Sequence, residues 1–118
     1  MSSGGAQANK FYEEVASKKS LWFAEDSKGS ALEFDISEDR VSFPLWSSSS
    51  RILRLKKLNP DFLGDFQPRE ISWEFFLEVL VPILDKKERL VGINYSGQNL
   101  SGFDMPIDQL MRQMAAFK

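Results

Sequence analysis

Apolar positions change period several times along this chain, and the changes mark its elements. Over residues 8–18, apolar side chains at 8, 11, 12, 15 and 16 follow helical spacing, which predicts a short amphipathic helix. The period then shortens. Residues 21–24, 31–36 and 41–46 are short runs rich in aromatic and β-branched side chains, separated by D-S-K-G-S and S-E-D-R. Such spacing predicts a three-stranded antiparallel meander. In the third strand Val41, Phe43 and Leu45 share one face, expected to meet the helices, and Ser42, Pro44 and Trp46 share the other. Pro44 has no N–H for a ladder bond, so it marks a strand end or an edge.

After Trp46 come four serines, Ser47 to Ser50. Ser48 or Ser49 is the expected N-cap of a helix running to about Leu58, with Ile52 and Leu55 as its inward stripe and Pro60 ending it. The clearest pattern comes next, in I-S-W-E-F-F-L-E-V-L-V-P-I-L-D. Ser72 is its expected N-cap, and Glu74 sits in the first turn, where the helix dipole favours an anion. Trp73, Phe76, Leu77, Leu80 and Leu84 form a helical stripe that Phe75, Val79 and Ile83 widen, so this helix is expected to be the most buried. Residues 90–95 and 102–105 read as two more strands, and Pro106 opens a last helix with Ile107, Leu110, Met111 and Met114 inward. The expected fold is α+β: an antiparallel meander sheet of about five strands, with about four helices packed mainly on one face. Residues 1–7 read as a flexible tail, and 8–118 as one domain.

Composition narrows the chemistry. The 118 residues are 42% hydrophobic, with three Trp and ten Phe, enough for a core without staples. There is no cysteine and no histidine, which removes thiolate chemistry, disulfides, the commonest general base and the commonest metal ligand. No phosphate-cradling glycine loop, calcium loop or nucleophile elbow occurs, so no catalytic residue, metal or cofactor is expected. A net charge of −2 gives no pull toward nucleic acid, and no apolar run is long enough for a bilayer. The first ten residues lack the form of a signal peptide, so the expected setting is cytoplasmic. Arg51, Arg54, Lys56 and Lys57 fall within seven residues with no acid among them, forming either a solvated helix face or a docking patch for an acidic partner.

The pieces F-P-L-W-S and P-R-E-I-S, with R-L-V-G-I-N-Y and a closing P-I-D-Q-L after them, resemble a family of small bacterial proteins catalogued as domain of unknown function 2750. The resemblance covers roughly residues 11–114. Family members often carry a second proline after the tryptophan, where this chain has Ser47. The resemblance implies an architecture and a bacterial cytoplasmic setting, and transfers no catalytic residue. A looser similarity, to the amino-terminal domain of bacterial serine-sensitivity proteins, suggests a binding module.

These readings converge on a non-enzymatic interaction protein of adaptor or immunity type. Its expected partner is another protein or a second copy of itself, met through Trp46, Ser47, Arg51 and Arg54, since Trp and Arg are enriched in interface centres. The alternative is a small-ligand binder or enzyme with a pocket between the 21–46 meander and the 72–84 helix.

Overall fold

The computed structural model describes the backbone of residues 3–117 and the side chains of 8–117. Five helices and six strands alternate along it, so the α+β class holds. In order they are α1 (Ser3–Lys18), β1 (Ser20–Glu25), β2 (Phe34–Ser37), β3 (Arg40–Leu45), α2 (Ser49–Leu58), α3 (Pro60–Leu63) and β4 (Gln67–Ser72). Then come a composite helix α4, β5 (Leu90–Ser96), β6 (Ser101–Met105) and α5 (Ile107–Ala115). Of the tail expected over 1–7, residues 1 and 2 and the side chains of 3–7 lie outside the described residues, and the backbone of α1 begins at Ser3.

The strands do not form one meander. β1 leaves the others to pair antiparallel with β4, and the second sheet has the order β2-β3-β5-β6. Within it β3 and β5 run parallel, with Ser42 opposite Leu90 and Leu45 opposite Ile93. The chain between them, through α2, α3, β4 and α4, is the crossover that parallel neighbours require. A paired bridge joins the two sheets, since the backbones of Trp22 and Trp46 exchange two hydrogen bonds of 2.8 Å.

Two apolar clusters lie on opposite faces of the mixed sheet. Phe43, Leu45, Val91, Ile93 and Met105 pack with Phe11 and Val15 of α1, Phe76 and Leu84 of α4, and Leu110 of α5. Trp46 and Tyr95 pack on the other side with Ile52 and Leu55 of α2 and Leu63 at the end of α3. Helices therefore cover both faces, rather than mainly one.

A bulge in β5 lets one strand serve both clusters. Asn94 has φ +47, and the β5–β6 register shifts between Ile93 and Ser96. An extra residue at a bulge reverses the alternation beyond it. Val91 and Ile93 thus face the first cluster, while Tyr95 turns to the second and lies over Gly92 and Gly102. A Cβ at either glycine would overlap the tyrosine ring, so the close approach requires glycine there.

α4 departs most from expectation. It consists of Trp73–Phe75, a π-helical segment Phe76–Leu80 and a last stretch Val81–Lys86. Ser72 caps it as expected, its hydroxyl accepting from the Phe75 amide at 3.0 Å. Within the π segment the Val81 amide bonds to the Phe76 carbonyl five residues back. This adds a residue to the turn just ahead of Pro82, which has no N–H to give. The inserted residue rotates the remainder of the helix about its axis. Phe76 and Leu84 are buried and Trp73, Leu80 and Val81 partly so, but Leu77 is driven outward, and Phe75, Val79 and Ile83 are exposed. The helix expected to be the most buried shows solvent a wide apolar face.

Candidate interaction site

The residues expected to meet a partner fall into two groups. Trp46 is fully buried, its indole N–H donating to the Tyr95 carbonyl at 2.9 Å, so it has no surface to offer. Ser47 is equally enclosed. Its hydroxyl donates to Glu14 Oε1 at 2.5 Å, and its amide donates to Asn94 Oδ1 at 3.0 Å. Side-chain alternation on β3 turns Trp46 away from the first cluster, and α2 and α3 cover it there. Arg51 is half-buried and paired with Glu14 at 3.3 Å. Of the four only Arg54 is exposed, and among the described residues it makes no ion pair.

Ser47, Glu14, Arg51 and Asn94 therefore form a brace between α1, the start of α2 and the β5 bulge. Burial pushes the Glu14 carboxyl up, but the hydrogen bond from Ser47 and the charge of Arg51 outweigh it and hold the group below its ordinary value. The serines serve mainly as structure. Ser48 takes the N-cap position of α2, yet its hydroxyl meets that of Ser50 at 3.1 Å and accepts from no backbone amide.

A second polar cluster sits on the Tyr95 side of the sheet. The Tyr95 hydroxyl donates to both carboxylate oxygens of Asp104, at 2.6 and 2.7 Å, and Ser42 donates to Oδ1 at 2.5 Å. Burial, reinforced by the Asp104 carboxylate, pushes the Tyr95 phenol well above its ordinary range. A phenol held neutral is a poor proton carrier at neutral pH. The crevice beside Arg51, Arg54 and Tyr95 has a volume of about 20 Å³, room for one water. Among the described residues no group of three or more acidic side chains could hold a metal ion.

A larger opening lies elsewhere, between the end of α1, the start of α4 and the end of α5. Three features build it. Lys19 adopts φ +56 and ends α1, and its carbonyl accepts from the Trp73 amide at 2.8 Å, which fixes the start of α4 against the end of α1. Beyond α5, Phe117 folds onto Tyr12 of α1, with ring centroids 5.5 Å apart. Between these attachments is a groove of about 820 Å³ whose walls include Val15, Trp73, Leu77, Met111, Met114 and Phe117. Lys19, just past the end of α1, and Glu74 of α4 supply its charges. Helical spacing assigns Trp73, Leu77, Met111 and Met114 to core stripes. Met114 is buried in the first cluster, and Trp73 and Met111 pack against it while also lining the groove, so only Leu77 leaves the core. The signal that could have separated Leu77 is the excess of apolar positions on α4, more than one buried face can take.

A family model described as "Protein of unknown function (DUF2750)" matches residues 8–114, and the chain belongs to that family. Comparisons with curated proteins and with solved structures return no match. Among the described residues no helix is long and apolar enough to cross a membrane.

Proposed function

We propose that this member of the family is a non-enzymatic protein-interaction module that holds an amphipathic helix of a partner protein in the groove between α1, α4 and α5. An adaptor or an immunity-type protein would work in this way. The observation that supports the reading is the lining of the groove: aliphatic, aromatic and methionine side chains, with one cation and one anion contributed from different elements. Methionine side chains adapt to the shape of an incoming apolar surface. The charges define the partner's chemistry. Its helix presents apolar anchors at i, i+3, i+4 and i+7, an acid where it passes Lys19 and a base where it passes Glu74. The polar clusters elsewhere favour the non-enzymatic reading, since Ser42, Ser47, Tyr95 and Asp104 are engaged with one another or with Glu14 and Asn94.

One observation favours a second reading: about 820 Å³ falls within the range of small-molecule pockets, roughly 300–1,000 Å³. A single experiment separates the two. A displayed library of amphipathic helical peptides is selected on the wild-type protein, and an apolar fragment library is screened in parallel. The proposal expects enriched peptides with the stated charge order, whose binding is lost in Leu77→Glu and in Met111→Glu. Fragments that saturate the groove, with no peptide enriched, would establish the small-ligand reading instead.

A further inference from the structure

Beyond the groove, α4 carries an apolar row that no part of the chain covers. Phe75, Val79 and Ile83 recur every four residues and are 47%, 40% and 45% exposed. Leu77, which faces the groove, is not in this row. Beside it runs a second row at the same spacing, Glu74, Glu78, Pro82 and Lys86, all of them exposed. A four-residue step stays in line along this helix because the π segment takes more residues per turn than an α-helix. Among the described residues, Glu74, Glu78 and Lys86 make no ion pair within the chain. The polar row is acidic toward the start of the helix and basic at its end.

That polarity selects the occupant. The geometry points to a second copy of this chain, its α4 packed antiparallel on this one about a two-fold axis through Val79. With the axis there, Val79 meets Val79 of the second copy, and Phe75 meets Ile83 of the second copy. Glu74 then comes level with the second copy's Lys86 to within two residues' rise, about 3 Å, which the two long side chains span. A parallel arrangement would stack Glu74 on Glu74 as well as Glu78 on Glu78 and leave Lys86 on Lys86. The antiparallel one keeps only the two Glu78 near each other at the axis and sets each Glu74 beside a Lys86, so like-charge repulsion favours it. The antiparallel contact is self-complementary and closes after two copies, so it gives a dimer rather than a filament. The net charge of −2 gives little overall repulsion to overcome.

The contact is small. A helix of this length offers a strip about 20 Å long, well short of the roughly 800 Å² per partner of a stable interface. The dimer is therefore weak, forming at micromolar to millimolar concentration, and it shares Glu74 with the wall of the groove.

Because the chain has no cysteine, single-cysteine variants report the contact directly. Under mild oxidation Val79→Cys should form a disulfide-linked dimer by itself. Phe75→Cys should link to Ile83→Cys in a mixture far faster than to itself. Val79→Glu, at an exposed position, should remain folded by circular dichroism and remain monomeric in sedimentation equilibrium over the range in which the wild type associates. Glu74→Lys should weaken the dimer, and adding Lys86→Glu should restore it. Three outcomes would overturn the proposal: a wild type that stays monomeric to millimolar concentration, a dimer that survives Val79→Glu, or efficient linkage of Val79→Cys to Leu53→Cys on α2, which would mean a head-to-tail contact.

Discussion

Replacing Trp46 with alanine should bring the protein close to unfolding while leaving the groove untouched. The indole is fully enclosed by Ala24, Leu32, Ile52, Leu55, Leu63 and Tyr95, and its N–H satisfies the Tyr95 carbonyl at the β5 bulge. Truncating a buried large aromatic costs about 3–5 kcal/mol, because the cavity collapses only in part. The carbonyl left without its donor adds about 1–3 kcal/mol of unpaired polar burial, although the two losses overlap. A small domain has only about 5–15 kcal/mol in all. Trp46→Phe isolates the polar share, since it keeps most of the ring and loses the donor, and should cost about 1–3 kcal/mol. Urea unfolding monitored by far-ultraviolet circular dichroism measures both without relying on tryptophan fluorescence. The expected order is wild type, then Trp46→Phe, then Trp46→Ala, with unchanged slopes. If Trp46→Ala lost less than about 1 kcal/mol, the second cluster could not be organised around this side chain, and a role at an interface would regain its place.

On α4, Phe76→Ala should cost about 3–5 kcal/mol, but Leu80→Ala only about 1–2 kcal/mol, because the π segment leaves Leu80 half-buried; equal losses in urea unfolding would contradict the rotation of the helix. Gly102→Ala should destabilise by about 1–3 kcal/mol through overlap with the Tyr95 ring, and Tyr95→Leu should relieve much of that penalty in a double-mutant cycle. The folded state holds the Glu14 carboxyl below its ordinary value of 4.5, so its contribution to stability is present above that pH and is lost as pH falls through the lowered value. Glu14→Gln should therefore lower stability at pH 7 and flatten its decline below pH 4.5; an unchanged acid limb would mean that the brace to Ser47 and Arg51 does not couple to folding.

Local signals in the sequence locate most elements but not their partners. The Ser72 cap, the strand at Val41–Leu45 and the alternation that sets Phe43 and Leu45 against Trp46 are all legible, because each depends on neighbours a few residues apart. The parallel pairing of β3 with β5 is not, since it joins segments some fifty residues apart and leaves no mark on either strand. β4 reads as a lead into a helix. Q-P-R-E-I-S has no clean alternation, and Pro68 hides an edge strand that β1 leaves its expected neighbours to join. The π segment and the Asn94 bulge are single-residue insertions that periodicity cannot register, and both redirect side chains. One turns Leu77 into the groove and exposes Phe75, Val79 and Ile83, and the other swings Tyr95 across the sheet. Trp46 and Ser47 have the composition of an interface, but composition cannot distinguish a hot spot from a core anchor when the covering helix is still unassigned.

The methionine methyl groups test the groove most directly. The chain has four methionines, Met1, Met105, Met111 and Met114. Met111 and Met114 line the groove, whereas Met105 is sealed in the core beside the Tyr12 hydroxyl and serves as an internal control. A methyl-labelled sample is titrated with the helical peptide selected on the wild-type protein. Saturable shifts of the Met111 and Met114 methyl signals are expected while Met105 stays in place, with loss of the shifts in Leu77→Glu. Binding that leaves Met111 and Met114 unmoved would place the interaction on another surface and contradict the account.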